Sequence, residues 1–172
     1  IMTSNTHRNG TSRAAEAIAS IDSTHVLLLQ GDEPLLLPRH VERMIAAMAA
    51  DPEGDAWNAT GPINEPEELD RHSFVKCAVS SSGRIIYGFR RSPSTAAFVD
   101  QQSYIRKILG LIAFRRDYLL EIAGSPPGRV ETLEFIEQMR IVESGGRLMS
   151  VAVDESLPSV NEPHEADLVL DY

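Results

Sequence analysis

The sequence predicts an α/β protein: a three-layer sandwich on a mostly parallel sheet, with one small hairpin subdomain inserted. Three observations carry that expectation. Val26-Leu27-Leu28-Leu29 is a short apolar run bounded by Gly31 and Pro34, the pattern of a strand buried on both faces. Helical and extended patterns alternate along the chain. Residues 74–79 and 84–89 are extended stretches flanking Ser80-Ser81-Ser82-Gly83, a hairpin signal.

The elements follow in order. Thr11 to Ser20 is alanine-rich and reads as a helix, leading to the strand at 25–30. Pro38 opens a helix in which Val41, Met44, Ile45 and Met48 make one apolar stripe. Ala56 to Thr60 reads as a short strand. Residues 91–103 are polar and irregular, a mobile loop or a partner contact. Ile108 to Phe114 is a continuous apolar strand, followed by a helix from Arg116 to Ala123. Ser125-Pro126-Pro127-Gly128 breaks the chain before a longer helix, Val130 to Ser144, which Gly145-Gly146 stops. Leu148 to Val153 is another strand, and Pro163 begins a final helix.

The 172 residues suffice for one domain with a core. A formal charge of −9 argues against a nucleic-acid or anionic-membrane surface, since both require basic patches. It leaves room for a small nucleotide, because a bound cation supplies charge locally. Cys77 stands alone, so neither a disulfide framework nor a cysteine metal cluster is expected, and the cytoplasm is the expected compartment. No stretch approaches the length of a membrane-spanning helix. Ile1-Met2-Thr3 reads as the end of a strand and predicts a chain that begins partway through a fold.

Two patterns carry chemistry. Gln30-Gly31-Asp32-Glu33-Pro34 follows the strand at 25–30, where open α/β sheets place their ligands. Its acidic pair can seat Mg²⁺, which takes one or two carboxylates plus substrate phosphates; the plain alternative is a solvated acidic turn. On a continuous helix over 130–144, Glu131, Glu134 and Gln138 fall within about a sixth of a turn. Glu137 sits further round, and Arg140 falls in the stripe of Leu133, Ile136 and Met139. An unpaired guanidinium there is costly, so a pair with Glu137 is expected.

Together these segments resemble a family. Met2-Thr3, then His7-x-x-Gly10-Thr11-x-Arg13, then Gln30-Gly31-Asp32-Glu33-Pro34 are similar to the CMP-KDO synthetases, the 3-deoxy-manno-octulosonate cytidylyltransferases. Phe74-Val75-Lys76, Gly83, Tyr87, Arg90, Leu109-Gly110, Glu131-x-x-Glu134-x-x-Glu137-Gln138-x-Arg140 and Val160-x-x-Pro163 continue the likeness in order. The resemblance implies a single cytidylyltransferase-like domain over 1–172 with a nucleotide-diphospho-sugar transferase-like fold. It implies transfer of CMP from CTP to the anomeric hydroxyl of a 2-keto-3-deoxy sugar acid, release of pyrophosphate, and dependence on Mg²⁺. Asp32 is then the catalytic metal ligand, with Asn161 beside it. Thr3, Asn9, Gly10, Arg13 and Gly31 lie along the nucleotide. Gln30, Arg90, Glu137 and Gln138 serve the sugar, Arg90 by facing its carboxylate or by helping to close the site. Residues 74–105 form a hairpin subdomain that contributes to a homodimer.

Plain alternatives stand beside these roles. Arg13 and Arg90 can be surface charges, His7 a loop cap and His164 a surface histidine. Departures from the pattern matter as well. The family's opening strand and its basic phosphate-holding loop have no counterpart before Ile1. Asn161 stands where the family has aspartate, with Glu162 or Glu165 as conceivable compensation. Ser4 replaces an arginine, and Ile108 and Ile112 replace a histidine and a tyrosine that contact the sugar. Lost polar partners change recognition. The sequence therefore also admits a cytidylyltransferase for another acid, such as a nonulosonic acid, or a non-catalytic nucleotide-binding relative.

Overall fold

The computed structural model describes residues 1–7, 9–160 and 165–171. Helix α1 (Gly10–Ile18) begins at Asn9, whose Oδ1 accepts the Ser12 N–H at 3.0 Å, an N-cap. Strand β1 (His25–Leu29) follows, then α2 (Pro38–Ala50) with proline in its first turn. The buried face of α2 includes His40 and Met44; Ile45, placed in the stripe by its spacing, is exposed. Strand β2 (Ala56–Gly61) leads through a 3₁₀ turn (Pro66–Leu69) into the hairpin of β3 (Lys76–Val79) and β4 (Ile85–Phe89). The polar segment after it contains α3 (Phe98–Gln102), held by Gln101, which accepts from Ser92 Oγ at 2.6 Å and donates to the Ala96 carbonyl at 2.7 Å. Strand β5 (Ile105–Arg115) is longer than the apolar run that signals it, and α4 (Arg116–Gly124) follows directly. Then come α5 (Arg129–Glu134), α6 (Gln138–Glu143), β6 (Leu148–Ala152) and α7 (Ala166–Leu170). Pro163, expected to start the last helix, lies outside the described residues.

Helices cover both faces of the sheet, and β5 shows why. Ile112 and Phe114 point into a core with Ala15, Tyr118, Leu119, Ile122 and Ile141, the side of α1, α4 and α6. Leu109, Leu111 and Ala113 alternate into a second core with Met44, Trp57 and Val151, the side of α2. The sheet order is β4-β3-β5-β2-β6, with β1 also on β5.

The expectation of a mostly parallel sheet is overturned. Among the described residues β1, β2 and β3 all pair antiparallel with β5, β3 pairs antiparallel with β4, and only β2 with β6 is parallel. An apolar run reports burial on both faces, which a central antiparallel strand shares with a parallel one. The inserted hairpin lets β5 return between β3 and β2 in the reverse direction, and no local residue pattern encodes that.

The second correction concerns residues 130–144, which form two short helices. Phe135 adopts the left-handed conformation at φ 55° and ends α5. The break leaves Leu133 exposed and keeps Ile136 and Met139 buried. It also brings Glu131 and Arg140 together in a two-pronged ion pair, at 2.7 Å and 2.6 Å. On one straight helix these residues would lie about 180° apart and on the order of 13 Å along the axis. Arg140 therefore pairs with Glu131, not with Glu137.

Candidate active site

The site lies in a gap along one edge of β5. β1 ends there, with Gln30 N–H donating to the Gly110 carbonyl at 2.8 Å. β3 begins there, with Ile108 N–H donating to the Val75 carbonyl at 2.9 Å. Between these two strand ends, over residues 108–110, opens a cleft of about 460 Å³. Gln30, Asp32 and Glu33 line it from the β1 end, Arg71 and residues 73–75 from the β3 end, and Glu137 and Gln138 from the start of α6. Arg90, Lys107 and Ser156–Ser159 complete much of the wall.

The turn after β1 is folded tightly over β5. Glu33 Oε1 accepts the Gly110 N–H at 2.8 Å. Gly110 must be glycine, because an added Cβ would stand 2.7 Å from Glu33 Cγ and 3.0 Å from Gln30 Cβ. Burial pushes the Glu33 carboxyl above the ordinary carboxylate range, outweighing the opposing Gly110 hydrogen bond, and neighbouring Asp32 adds to the rise. Asp32 is different: its carboxylate is exposed and makes no hydrogen bond or ion pair among the described residues. The backbone at Gly31 is open, with nothing within 4 Å of a notional Cβ. Val160 N–H donates to the Asp32 carbonyl at 2.9 Å, which ties the loop after β6 to this turn. Asn161 lies outside the described residues.

The α6 side is set by pairings that span the chain. Glu137 Oε1 accepts the Thr11 N–H at 3.0 Å, joining α6 to the start of α1. Gln138 Nε2 donates to Asn58 Oδ1 at 3.2 Å, while Asn58 Nδ2 donates to the Leu109 carbonyl at 2.9 Å. Asn58 is fully buried in β2, and its role was not read from the sequence; the signal available was an amide inside an otherwise apolar strand. Arg90 donates to the carbonyls of His72 (2.9 Å), Phe135 (3.2 Å) and Glu134 (3.3 Å). It thus satisfies carbonyls left free where α5 ends, and three of its five N–H groups are committed to backbone.

The expected nucleotide residues gather at the start of α1. Arg13 donates to Thr3 Oγ1 at 2.7 Å and to the Ser4 carbonyl at 3.3 Å, folding residues 3–4 against the helix. His7 pairs with Glu16, whose carboxyl is lowered chiefly by that contact. Asn9 lines a second cleft of about 840 Å³, which shares Glu137 and Phe135 with the first. Thr3, Gly10, Arg13 and Gly31 line neither cleft. Of the two isoleucines in sugar-contact positions, Ile108 lines the smaller cleft, whereas Ile112 is buried in the core beside Ile122 and Ile141.

No group of three or more histidine, cysteine or acidic side chains placed to hold a metal occurs among the described residues. The donor set is nevertheless one that suits Mg²⁺ arriving with a triphosphate. Asp32 offers an uncommitted carboxylate beside open backbone, and such sites need only one or two carboxylates. No helix among the described residues is long and apolar enough to cross a membrane.

Comparison with known proteins relates the chain to others in sequence and fold. The cytidylyltransferase family model matches residues 1–151. The 3-deoxy-manno-octulosonate cytidylyltransferase of Chlorobium limicola is 35% identical over 174 residues, covering 98% of this chain and 69% of the relative. Those of Geobacter metallireducens and Chlamydia felis are 33% and 31% identical, covering 99% and 100% of this chain and 71% and 68% of theirs. The solved structure of CMP:2-keto-3-deoxy-manno-octonic acid synthetase complexed with CTP superposes with a TM-score of 0.86 at 29% identity, over 100% of this chain and 73% of its own. A gapped β5 edge carrying an acidic turn, a broken α5–α6 pair bearing Glu137 and Gln138, and sequence likeness along the whole chain lead to one assignment: this chain belongs to the 3-deoxy-manno-octulosonate cytidylyltransferase (CMP-KDO synthetase) family.

Proposed function

We propose that this chain is a CTP-dependent cytidylyltransferase that transfers CMP to the anomeric hydroxyl of a KDO-like 2-keto-3-deoxy sugar acid. The anomeric oxygen bonds to the α-phosphorus as the bond to pyrophosphate breaks, and the hydroxyl gives up its proton to solvent. The observation that carries this reading is the convergence of Gln30, Asp32, Glu137 and Gln138, from two distant chain segments, on one cleft beside the open Gly31 backbone.

The roles follow from what each group has free. Asp32 takes the magnesium, with Asn161 as the second ligand of the proposal. Mg²⁺, when bound, screens the triphosphate and polarises the attacking hydroxyl. Gln30, Glu137 and Gln138 offer hydrogen bonds to sugar hydroxyls, with Gln138 oriented by Asn58. Arg90 closes the sugar side by fixing the α5–α6 break. Thr3, Asn9, Gly10 and Gly31 run along the nucleotide, and Arg13 braces their loop through Thr3. Exposed Ile86, Tyr87 and Val99 favour a homodimer through residues 74–105. The proposed compartment is the cytoplasm.

A second reading keeps the chemistry and changes the acceptor, and Ile108 on the cleft wall favours it, since isoleucine offers no hydrogen bond to a sugar hydroxyl. Pyrophosphate release with CTP, Mg²⁺ and a panel of sugar acids tests both. Turnover with KDO supports the first reading. Turnover only with another acid supports the second, and silence with Mg²⁺ and Mn²⁺ alike rejects both.

A further inference from the structure

The β3 end of the cleft is basic, and one aromatic ring organises it. Lys107 Nζ lies 4.4 Å, Lys76 Nζ 5.0 Å and Arg71 Cζ 5.9 Å from the centroid of Phe74. Two of these cations are committed. Lys76 is fully buried and directs its ammonium at the carbonyls of Arg71, Phe74 and Arg90. Lys107 donates to Glu68 Oε1 at 2.8 Å and to Ser156 Oγ at 3.1 Å.

Arg71 differs from both. Its carbonyl is held by Lys76 at 2.6 Å, so its root is fixed. Its guanidinium is exposed at the cleft wall and makes no hydrogen bond or ion pair among the described residues. Arg90, the other arginine of the cleft, is engaged with three carbonyls. Among the described residues the cleft therefore contains one cation that is anchored at its base, supported by an aromatic face and free at its tip.

We propose that Arg71 receives the carboxylate of the acceptor acid. This rests on the reading of the cleft as the sugar-acid site. A carboxylate entering the gap meets Asp32, Glu33 and Glu137 on one side, carboxyl groups assigned to the metal or already bonded to backbone N–H groups, and finds no cationic side chain there. Toward the β3 end it meets a planar guanidinium whose fork matches two carboxylate oxygens. The anomeric hydroxyl sits on the carbon that carries this carboxylate, so a carboxylate held by Arg71 also fixes the direction in which the hydroxyl faces Asp32. Arg71 sets which acceptors bind and positions the anomeric carbon next to the carboxylate, and it forms no bond in the reaction.

The test compares the protein with Arg71→Gln and Arg71→Lys, using KDO and its carboxamide as probes. It measures KM for acceptor and for CTP by pyrophosphate release, and direct binding of KDO by calorimetry. Arg71→Gln should raise the acceptor KM and Kd roughly tenfold to a hundredfold, the range for one charge-assisted contact, and leave the CTP KM unchanged. Arg71→Lys should recover part of the loss, and the carboxamide should bind both proteins alike. Turnover with an unchanged acceptor KM in Arg71→Gln overturns the inference and leaves the function standing. A rise in the CTP KM alone also overturns it, by assigning the cation to phosphate. If no acid is turned over, the proposed function fails. KDO binding that depends on Arg71 would then still support the inference, and absence of binding would overturn it.

Discussion

The two ends of the cleft are built differently. The β1 end is one contiguous turn, Gln30 to Glu33, folded so closely over β5 that Gly110 has no room for a Cβ. The β3 end is assembled from residues 71, 76, 90 and 107, which share no local motif and meet around the ring of Phe74 and the buried ammonium of Lys76. Among the described residues, at the acidic end one carboxylate of the turn is engaged and one is free; at the basic end Lys76, Arg90 and Lys107 are engaged and Arg71 is free. Each end thus uses buried partners to hold a single exposed charge in place. The lesson is that preorganisation here resides in the committed neighbours, Glu33 and Lys76, as much as in the groups left free to act.

Four experiments would break or sharpen that contrast. Asp32→Asn should lower turnover on the order of a thousandfold or more, because a free metal-binding charge is lost. Its thermal midpoint should stay unchanged, since the carboxylate has no partner among the described residues; normal activity would remove Asp32 from the reaction. Arg140→Leu should destabilise the protein by about 3–5 kcal/mol in a urea titration, since it leaves the buried Glu131 carboxylate without its cation. A loss under about 1 kcal/mol would mean that the α5–α6 break stands without the pair.

The third experiment is a stability–pH profile. Burial holds Lys76 at about 8, below its ordinary 10.5. The unfolded chain keeps that proton to higher pH than the folded one, so folding should gain stability as pH rises from about 8 to about 10.5. The gain is at most about 3 kcal/mol, is absent below pH 8, and should vanish from the profile of Lys76→Met. A profile that is the same in both proteins would show that the ammonium is not held as described. The smallest effect is expected for Gly110→Ala, which should cost about 1–3 kcal/mol by pressing on Glu33 and Gln30. The acceptor KM should rise with it; an unchanged stability and KM would mean that the acidic turn is loosely held.

Much of the acidic end was legible because it is local. The apolar run, the glycine and the carboxylates lie within nine residues, and strand patterning reports burial directly. The helix at 130–144 was misread as continuous because its apolar and acidic spacing fits a helix; only φ at Phe135 and the carbonyls held by Arg90 reveal the break. Ile112 packs with Ile122 and Ile141 in the core and borders a small pocket with Gln30, Glu137 and Gln138, a neighbourhood its sequence position alone does not reveal. Asn58, Arg71 and Lys107 carried no pattern of their own and became informative only beside their partners.

By itself the sequence determined the helix-and-strand alternation, the acidic turn at 30–33 and the family likeness, because these depend on side-chain types at fixed short spacings. The tertiary structure alone decided the antiparallel setting of β5, the Glu131–Arg140 pair and the basic wall around Phe74. Those depend on which distant segments become neighbours, and a chain's local propensities are the same for either strand direction and for either partner of a buried charge.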